Sequence, residues 1–425
     1  MTRIRTAALL LGAAALAMPP RARAQDAAGL AALYDRHDCF AARDALKTAP
    51  AGVSADELAF YRGWVASAFN RPADAAAELR RYLASGAARA DAAHRRAAEQ
   101  LLADVLVREH RYGEAADAYA RVAAATADST RGDLANNAAL FGALRGAPAQ
   151  TVTFGGDVDV PLTRDRANLM NLPVGAAGKE ERFVFDTGAN LSTIGETLAR
   201  ELGFRVIDTR ISVGTATGGR AAARLAIAPA LTIGGATVRN VVFLVLADSA
   251  LKFPQIGYEI RGIVGHPVIA ALGEVTLTRD GHLRAAARPS APASTGEANL
   301  CLDGLDNLVR GRIGPQTALL GLDTGARNST LFPPYYRRNR AAVDSGRAAT
   351  VRIGGAAGMR TLNVRYIGPV AVTVGGSTAT LPQVTVAMEP SQGRSDYADG
   401  DIGQDVITQF AEMTLDYRVM QLRFR

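Results

Sequence analysis

The tetrapeptide Asp-Thr-Gly-Ala occurs twice, at 186–189 and at 323–326, each time after a short apolar run: "FVFDTGAN" and "LGLDTGAR". One Asp-x-Gly is ordinary turn chemistry. Two copies in the same order with the same sequel are not. "LTIGGATVRNVVFLV" follows the first copy and "VTVGGSTATLPQVTV" the second, then "GIVGHPVI" and "GDIGQDVI". Asp186 precedes Gly265 by 79 residues and Asp323 precedes Gly403 by 80. Both halves end in strand-like pairs, "EVTLTRDGHLRA" and "EMTLDYRVMQLRF". Independent turns would not keep four features in register, so the spacing implies an internal duplication, two similar β units in one chain.

The texture of the chain agrees. From Gly146 onward Val, Thr, Ile and Gly dominate, with period-two stretches and Gly-Gly turns, the pattern of strands. The segment "AAARPSAPASTGE" is Ala-, Pro- and Ser-rich and reads as a linker over 286–297. It divides the β part into 150–285 and 298–425. Residues 25–147 are Ala-rich with helical periodicity. Within them "FNRPADAAAELRRYLAS" and "EHRYGEAADAYARVAAA" align at an offset of 40, Ala75 on Ala115. That region is similar to a tetratricopeptide-like array of helical hairpins, with an unrelated helical bundle as the alternative.

Residues 1–24 join two arginines, a short apolar core and a small-x-small close, the pattern of a secretory signal peptide. A periplasmic or secreted location is therefore expected, and no later stretch predicts a membrane span. Removing that segment takes four arginines from the formal charge of +7 and leaves +3. No basic run is interleaved with aromatics, so no nucleic-acid partner is expected. No C-x-x-C, H-E-x-x-H, G-x-S-x-G or P-loop is present, and no cofactor or metal is expected. Cys39 and Cys301 could pair in an oxidising compartment, or could be two separate buried thiols.

The duplicated unit resembles the aspartic peptidase clan, and the Ala after each Asp-Thr-Gly (Ala189, Ala326) together with the modest half size resembles its retropepsin-like members. The resemblance covers about 150–425. It implies a multidomain chain: an all-α helical-hairpin region, then an all-β bilobal acid-protease fold with pseudo-two-fold symmetry. It also implies an aspartic endopeptidase acting on peptide or protein substrates. Asp186 and Asp323 would be the catalytic pair, and a single chain would suffice as the catalytic monomer. Thr187, Gly188, Thr324 and Gly325 would support the pair: the glycines by close packing and N–H donors, the threonines by hydrogen bonds across the pseudo-two-fold. Gly265 and Gly403 would be the loop glycines.

Two carboxyls within hydrogen-bond reach cannot both ionise cheaply and share a proton, so one can act as base on water while the other acts as acid. With Ala at 189 and 326 a hydroxyl donor to the charged form is missing. A working range of roughly pH 4.5–6.5 is expected. The Gly-rich stretches 212–227 and 352–367 would be flaps that close over an extended peptide, or ordinary hairpins. Asp401 departs from the apolar pair expected before the loop glycine, and could either alter the pair or face solvent. A catalytically silent peptide-binding or scaffold protein is the alternative function. An enzyme restrained by its helical region is a third. The helical surface leaves room for a protein partner.

Overall fold

The helical region is built from hairpins that turn the same way. The computed structural model describes residues 26–48, 50–214, 219–254, 257–288, 296–355, 358–390 and 393–425. The signal-like segment 1–24, most of the linker and both hairpin tips (215–218 and 356–357) lie outside them.

Helix Ala27–Asp35 pairs with Cys39–Ala45, Ala55–Ala68 with Pro72–Ala84, and Ala92–Arg108 with Tyr112–Ala124; Arg131–Gly142 follows. At each connection one residue adopts positive φ: His37 (54°), Asn70 (53°) and His110 (58°). The residue after it donates its N–H back across the turn, Asp38 to Leu33 (2.9 Å), Arg71 to Ala66 (2.9 Å) and Arg111 to Leu106 (2.8 Å). This is the left-handed helix stop usually made by glycine. The second and third hairpins stand at the 40-residue offset seen in the sequence. The first, at His37, lacked a visible partner there. Small residues permit the close approach of paired helices: Ala75 and Ala115 are fully buried, and a Cβ on Gly63 would stand 2.7 Å from Leu79 Cγ. Starts are capped by Asp26, Asp38, Asp91 and a Ser54/Glu57 capping box.

The β part forms two lobes with the same pairings. In the first, strand Gly262–Val264 runs parallel to Lys179–Phe185 and antiparallel to Ser192–Gly195, which runs parallel to Ala236–Leu246. In the second, Gly400–Ile402 runs parallel to Gln316–Leu322 and antiparallel to Thr330–Leu331, which runs parallel to Val384–Ala387. The expected fold class, helices followed by an acid-protease-like β fold, is what the chain adopts. Burial explains the apolar runs before each Asp: Phe183, Val184 and Phe185 in one lobe, Leu320 and Leu322 in the other, are at most 2% exposed. Strands that are covered on both faces read as continuous apolar stretches.

A third sheet joins the lobes. Glu274–Thr278 pairs antiparallel with Glu412–Asp416, and Thr276 faces Thr414 at its centre with their hydroxyls 2.9 Å apart. The helices lie against both lobes. Cys39 and Cys301 form a disulfide between helix Cys39–Ala45 and strand Leu300–Asp303. Beside it Arg310 stacks over Phe40, 4.6 Å from the ring centre. At the other end helix Arg131–Gly142 reaches the first-lobe hairpin formed by strands Arg205–Gly214 and Arg220–Ile233: Asn136 Oδ1 accepts from the Ser212 N–H (2.8 Å), and Asp133 pairs with Arg220. No described helix is long and apolar enough to cross a membrane.

Candidate active site

Each Asp-Thr-Gly stands where its strand ends and its neighbour supports the first turn. Asp186 N–H donates to the Val264 carbonyl (3.1 Å), and Asp323 N–H donates to that of Ile402 (3.0 Å). The two loops then interlock. Thr187 N–H donates to Thr324 Oγ1, and Thr324 N–H to Thr187 Oγ1, both at 3.0 Å. The Thr187 hydroxyl donates to the Leu322 carbonyl and the Thr324 hydroxyl to that of Phe185, both at 2.9 Å. Both threonines are buried, at 1% and 0% exposure, so all four bonds are shielded from water.

The interlock brings the carboxyl groups of Asp186 and Asp323 together. Each glycine makes room for the opposite carboxyl. A Cβ on Gly188 would lie 2.7 Å from Asp323 Cγ, and one on Gly325 would lie 2.6 Å from Asp186 Oδ2. Any side chain at either position would force the pair apart. The N–H donors are less symmetric than the sequence suggested. Gly188 donates to Asp186 Oδ1 (2.8 Å), but in the second lobe the donor to Asp323 Oδ1 is Ala326 (3.0 Å), not Gly325.

Gly265 and Gly403 back the two turns. A Cβ on Gly265 would meet the Ala189 carbonyl at 2.6 Å, and one on Gly403 the Asn328 carbonyl carbon at 2.7 Å. Their N–H groups donate to Ser192 Oγ (3.1 Å) and Ser329 Oγ (2.9 Å), and the next N–H groups, of His266 and Gln404, close onto Ala189 and Ala326. Sequence reasoning missed both serines, although each stands six residues after its Asp. It also missed Asn307 and Gln404, whose side-chain amides donate to the Thr187 and Thr324 carbonyls (3.0 and 2.9 Å). Asn307 carries no signal in the sequence, because the strand that begins at Asp306 brings it in.

Burial pushes both carboxyls up from their ordinary range. For Asp323 the Asp186 carboxylate adds to the rise, and the Arg394 guanidinium opposes it. For Asp186 the N–H of Gly188, then Arg394, oppose the rise. Asp401 does not simply face solvent. Its side chain is 14% exposed and is held by Arg394. Among the described residues no group of three His, Cys, Asp or Glu side chains stands ready to hold a metal ion.

The first lobe matches a known family. Residues 172–268 fit a family model for aspartyl protease. The matched segment begins in strand Met170–Ala176, two strands before Asp186, and ends just past Gly265, and it supports a protease-like function. The second Asp-Thr-Gly, at 323, lies beyond the matched residues. No curated protein matches the chain.

Proposed function

We propose that the chain is an aspartic endopeptidase in which Asp186 and Asp323 activate a water molecule between them. The observation that carries this reading is the interlock of Thr187 and Thr324, which holds two carboxyl groups against each other although their burial opposes ionisation. A pair kept close at such a cost shares one proton near weakly acidic pH. The ionised carboxyl takes a proton from water as the oxygen attacks the scissile carbonyl. The protonated carboxyl donates to the carbonyl oxygen, giving a neutral tetrahedral diol. Return of a proton to the nitrogen then releases amine and acid. The strand pairs Arg205–Gly214 with Arg220–Ile233 and Arg347–Gly355 with Gly358–Ile367 would then be the flaps, closing over an extended peptide whose backbone pairs with them.

The signal-like segment 1–24 and the Cys39–Cys301 disulfide support export to an oxidising compartment, the periplasm or the medium. The helical hairpins are then a TPR-like platform packed on both lobes, with surface left for a protein partner. A peptide-library cleavage assay of the full chain from pH 3 to 7, with and without pepstatin, tests the reading. Pepstatin-sensitive internal cleavage is expected. Peptide binding without cleavage at any pH would point instead to a silent binding protein.

A further inference from the structure

The two lobes differ beside the paired carboxyls at one matched position. In the first lobe Val184 faces Ile263 across the parallel strands. In the second the same positions hold Gly321 and Asp401. The space that Gly321 leaves is filled. A Cβ there would stand 2.1 Å from Asp401 Oδ1 and 2.5 Å from Arg394 Nε.

Arg394 comes from the single turn Gly393–Asp396 and points into this space. Its Nε and Nη2 donate to the two oxygens of Asp401 at 2.7 and 2.9 Å, and its Nη1 donates to Asp306 Oδ1 at 3.0 Å. Its Nη2 also lies 3.5 Å from Asp323 Oδ2. The arginine is 14% exposed, and Asp306 is 21% exposed. A guanidinium cannot lose its proton here, so a fixed positive charge stands next to one member of the pair.

We propose that Arg394 is a positioning residue that, seated by Asp401 and Asp306, holds the Asp186–Asp323 pair in its singly ionised form at weakly acidic pH. The consequence for turnover rests on the protease reading; the assignment of the charge does not. Burial and mutual repulsion alone would keep the pair doubly protonated to higher pH. A cation at this distance favours each loss of a proton and lowers both macroscopic steps.

The charged groups acting on it most strongly are acids. Asp401 and Asp306 face the guanidinium directly. Asp186 lies behind Asp323. Asp303 lies beyond Asp306, bonded to His37 (2.9 Å). None of these carries a second fixed positive charge onto the pair. Tyr397 follows Arg394 by three residues and stacks on His37 of the helical region, with centroids 3.8 Å apart. That stack steadies the turn from outside.

The test is carboxyl 13C NMR of full-length protein labelled at aspartate, with Asp186→Asn and Asp323→Asn samples to assign the pair. Arg394→Met is expected to raise both steps by about one pH unit or more, Arg394→Lys by less, and Asp401→Asn to lower them. Arg394→Met/Asp401→Ile rebuilds the apolar contact of the first lobe and covers the case in which the single variant does not fold; its steps should still rise. Steps that stay in place, or that move the same way in Arg394→Met and Asp401→Asn, overturn the proposal. The pH profile of peptide cleavage, measured in parallel, should move with the steps. If wild type cleaves nothing at any pH while the steps move, the protease reading fails and the assignment of Arg394 stands. If wild type cleaves and the steps do not move, only Arg394 is misassigned.

Discussion

The two lobes share every strand pairing around their Asp-Thr-Gly turns, yet they meet the rest of the molecule differently. The first lobe is apolar behind its Asp, with Val184 against Ile263, and helix Arg131–Gly142 holds its hairpin. The second lobe is charged there, with Arg394 between Asp401 and Asp306, and the Cys39–Cys301 bond ties it to the helices. Among the described residues no hydrogen bond or ion pair joins residues 347–352 and 360–367 of its hairpin, strands Arg347–Gly355 and Gly358–Ile367, to the helical region. The shared parts are those that a paired carboxyl site needs from both sides. The unshared parts set its charge and its access, and these can differ because a proton shared by two groups needs to be tuned from one side only.

Removal of one carboxyl should have the largest effect. Asp186→Asn or Asp323→Asn should each lower kcat/KM by 10³-fold or more, since neither group alone supplies both base and acid; general acid–base terms are worth roughly 10²–10⁴ each. Near wild-type turnover in either variant would move the site elsewhere. Stability should go the other way. Both carboxyls are raised in the folded chain above their unfolded value, so the stability they contribute is full below about pH 4 and is lost as pH rises through the folded values. Asp323→Asn should therefore gain on wild type between about pH 4 and pH 7, by about 1 kcal/mol or more. Urea unfolding at both pH values measures it. A variant that is equally destabilised at both pH values contradicts the repulsion.

Next in size is the interlock. Thr187→Ala and Thr324→Ala each strand one buried N–H and one buried carbonyl of the opposite loop, a loss of about 1–3 kcal/mol for each group left unsatisfied. Because the bonds come in pairs related by the pseudo-two-fold, the two variants should lose nearly equal stability, unlike any pair of variants at 184/321 or 263/401. Thr→Ser at either site should restore most of it. Strongly unequal losses in chemical denaturation would show that one loop carries the other.

How much of this was legible before the structure follows the same division. The repeated turns, the 79- and 80-residue spacing and the apolar runs announced two lobes and one joint site, because close packing around a buried turn constrains residue types at fixed offsets. Ser192 and Ser329 were readable too, at six residues past each Asp. Arg394 was not, since no motif surrounds it and only tertiary pairing brings its turn to the site. Its trace was Asp401, an acid at an apolar position, and a half-buried carboxylate needs a partner. The disulfide stayed open for the same reason: 262 residues separate Cys39 from Cys301, and only the packing of helix on strand sets their distance.

The smallest expected effect concerns the two hairpins. If the helical region restrains only the first, cutting its contacts should loosen that hairpin and leave the other unchanged. Asp133 and Arg220 are 64% and 41% exposed, so their pair is a screened surface interaction worth about 0–1 kcal/mol. The Asn136 bond to the Ser212 N–H is partly buried and adds about 1 kcal/mol. Asp133→Ala/Asn136→Ala should then speed amide exchange in 205–214 and 220–233 by roughly five- to thirtyfold. Exchange in 347–355 and 358–367, followed in the same sample, should stay within error. Raising the salt concentration should reproduce only the Asp133 part, since screening weakens the ion pair and spares the hydrogen bond. Equal acceleration of both hairpins would mean that the variant loosens the helical region as a whole. No acceleration in either would mean that strand pairing alone holds the first hairpin and that the helix merely rests on it.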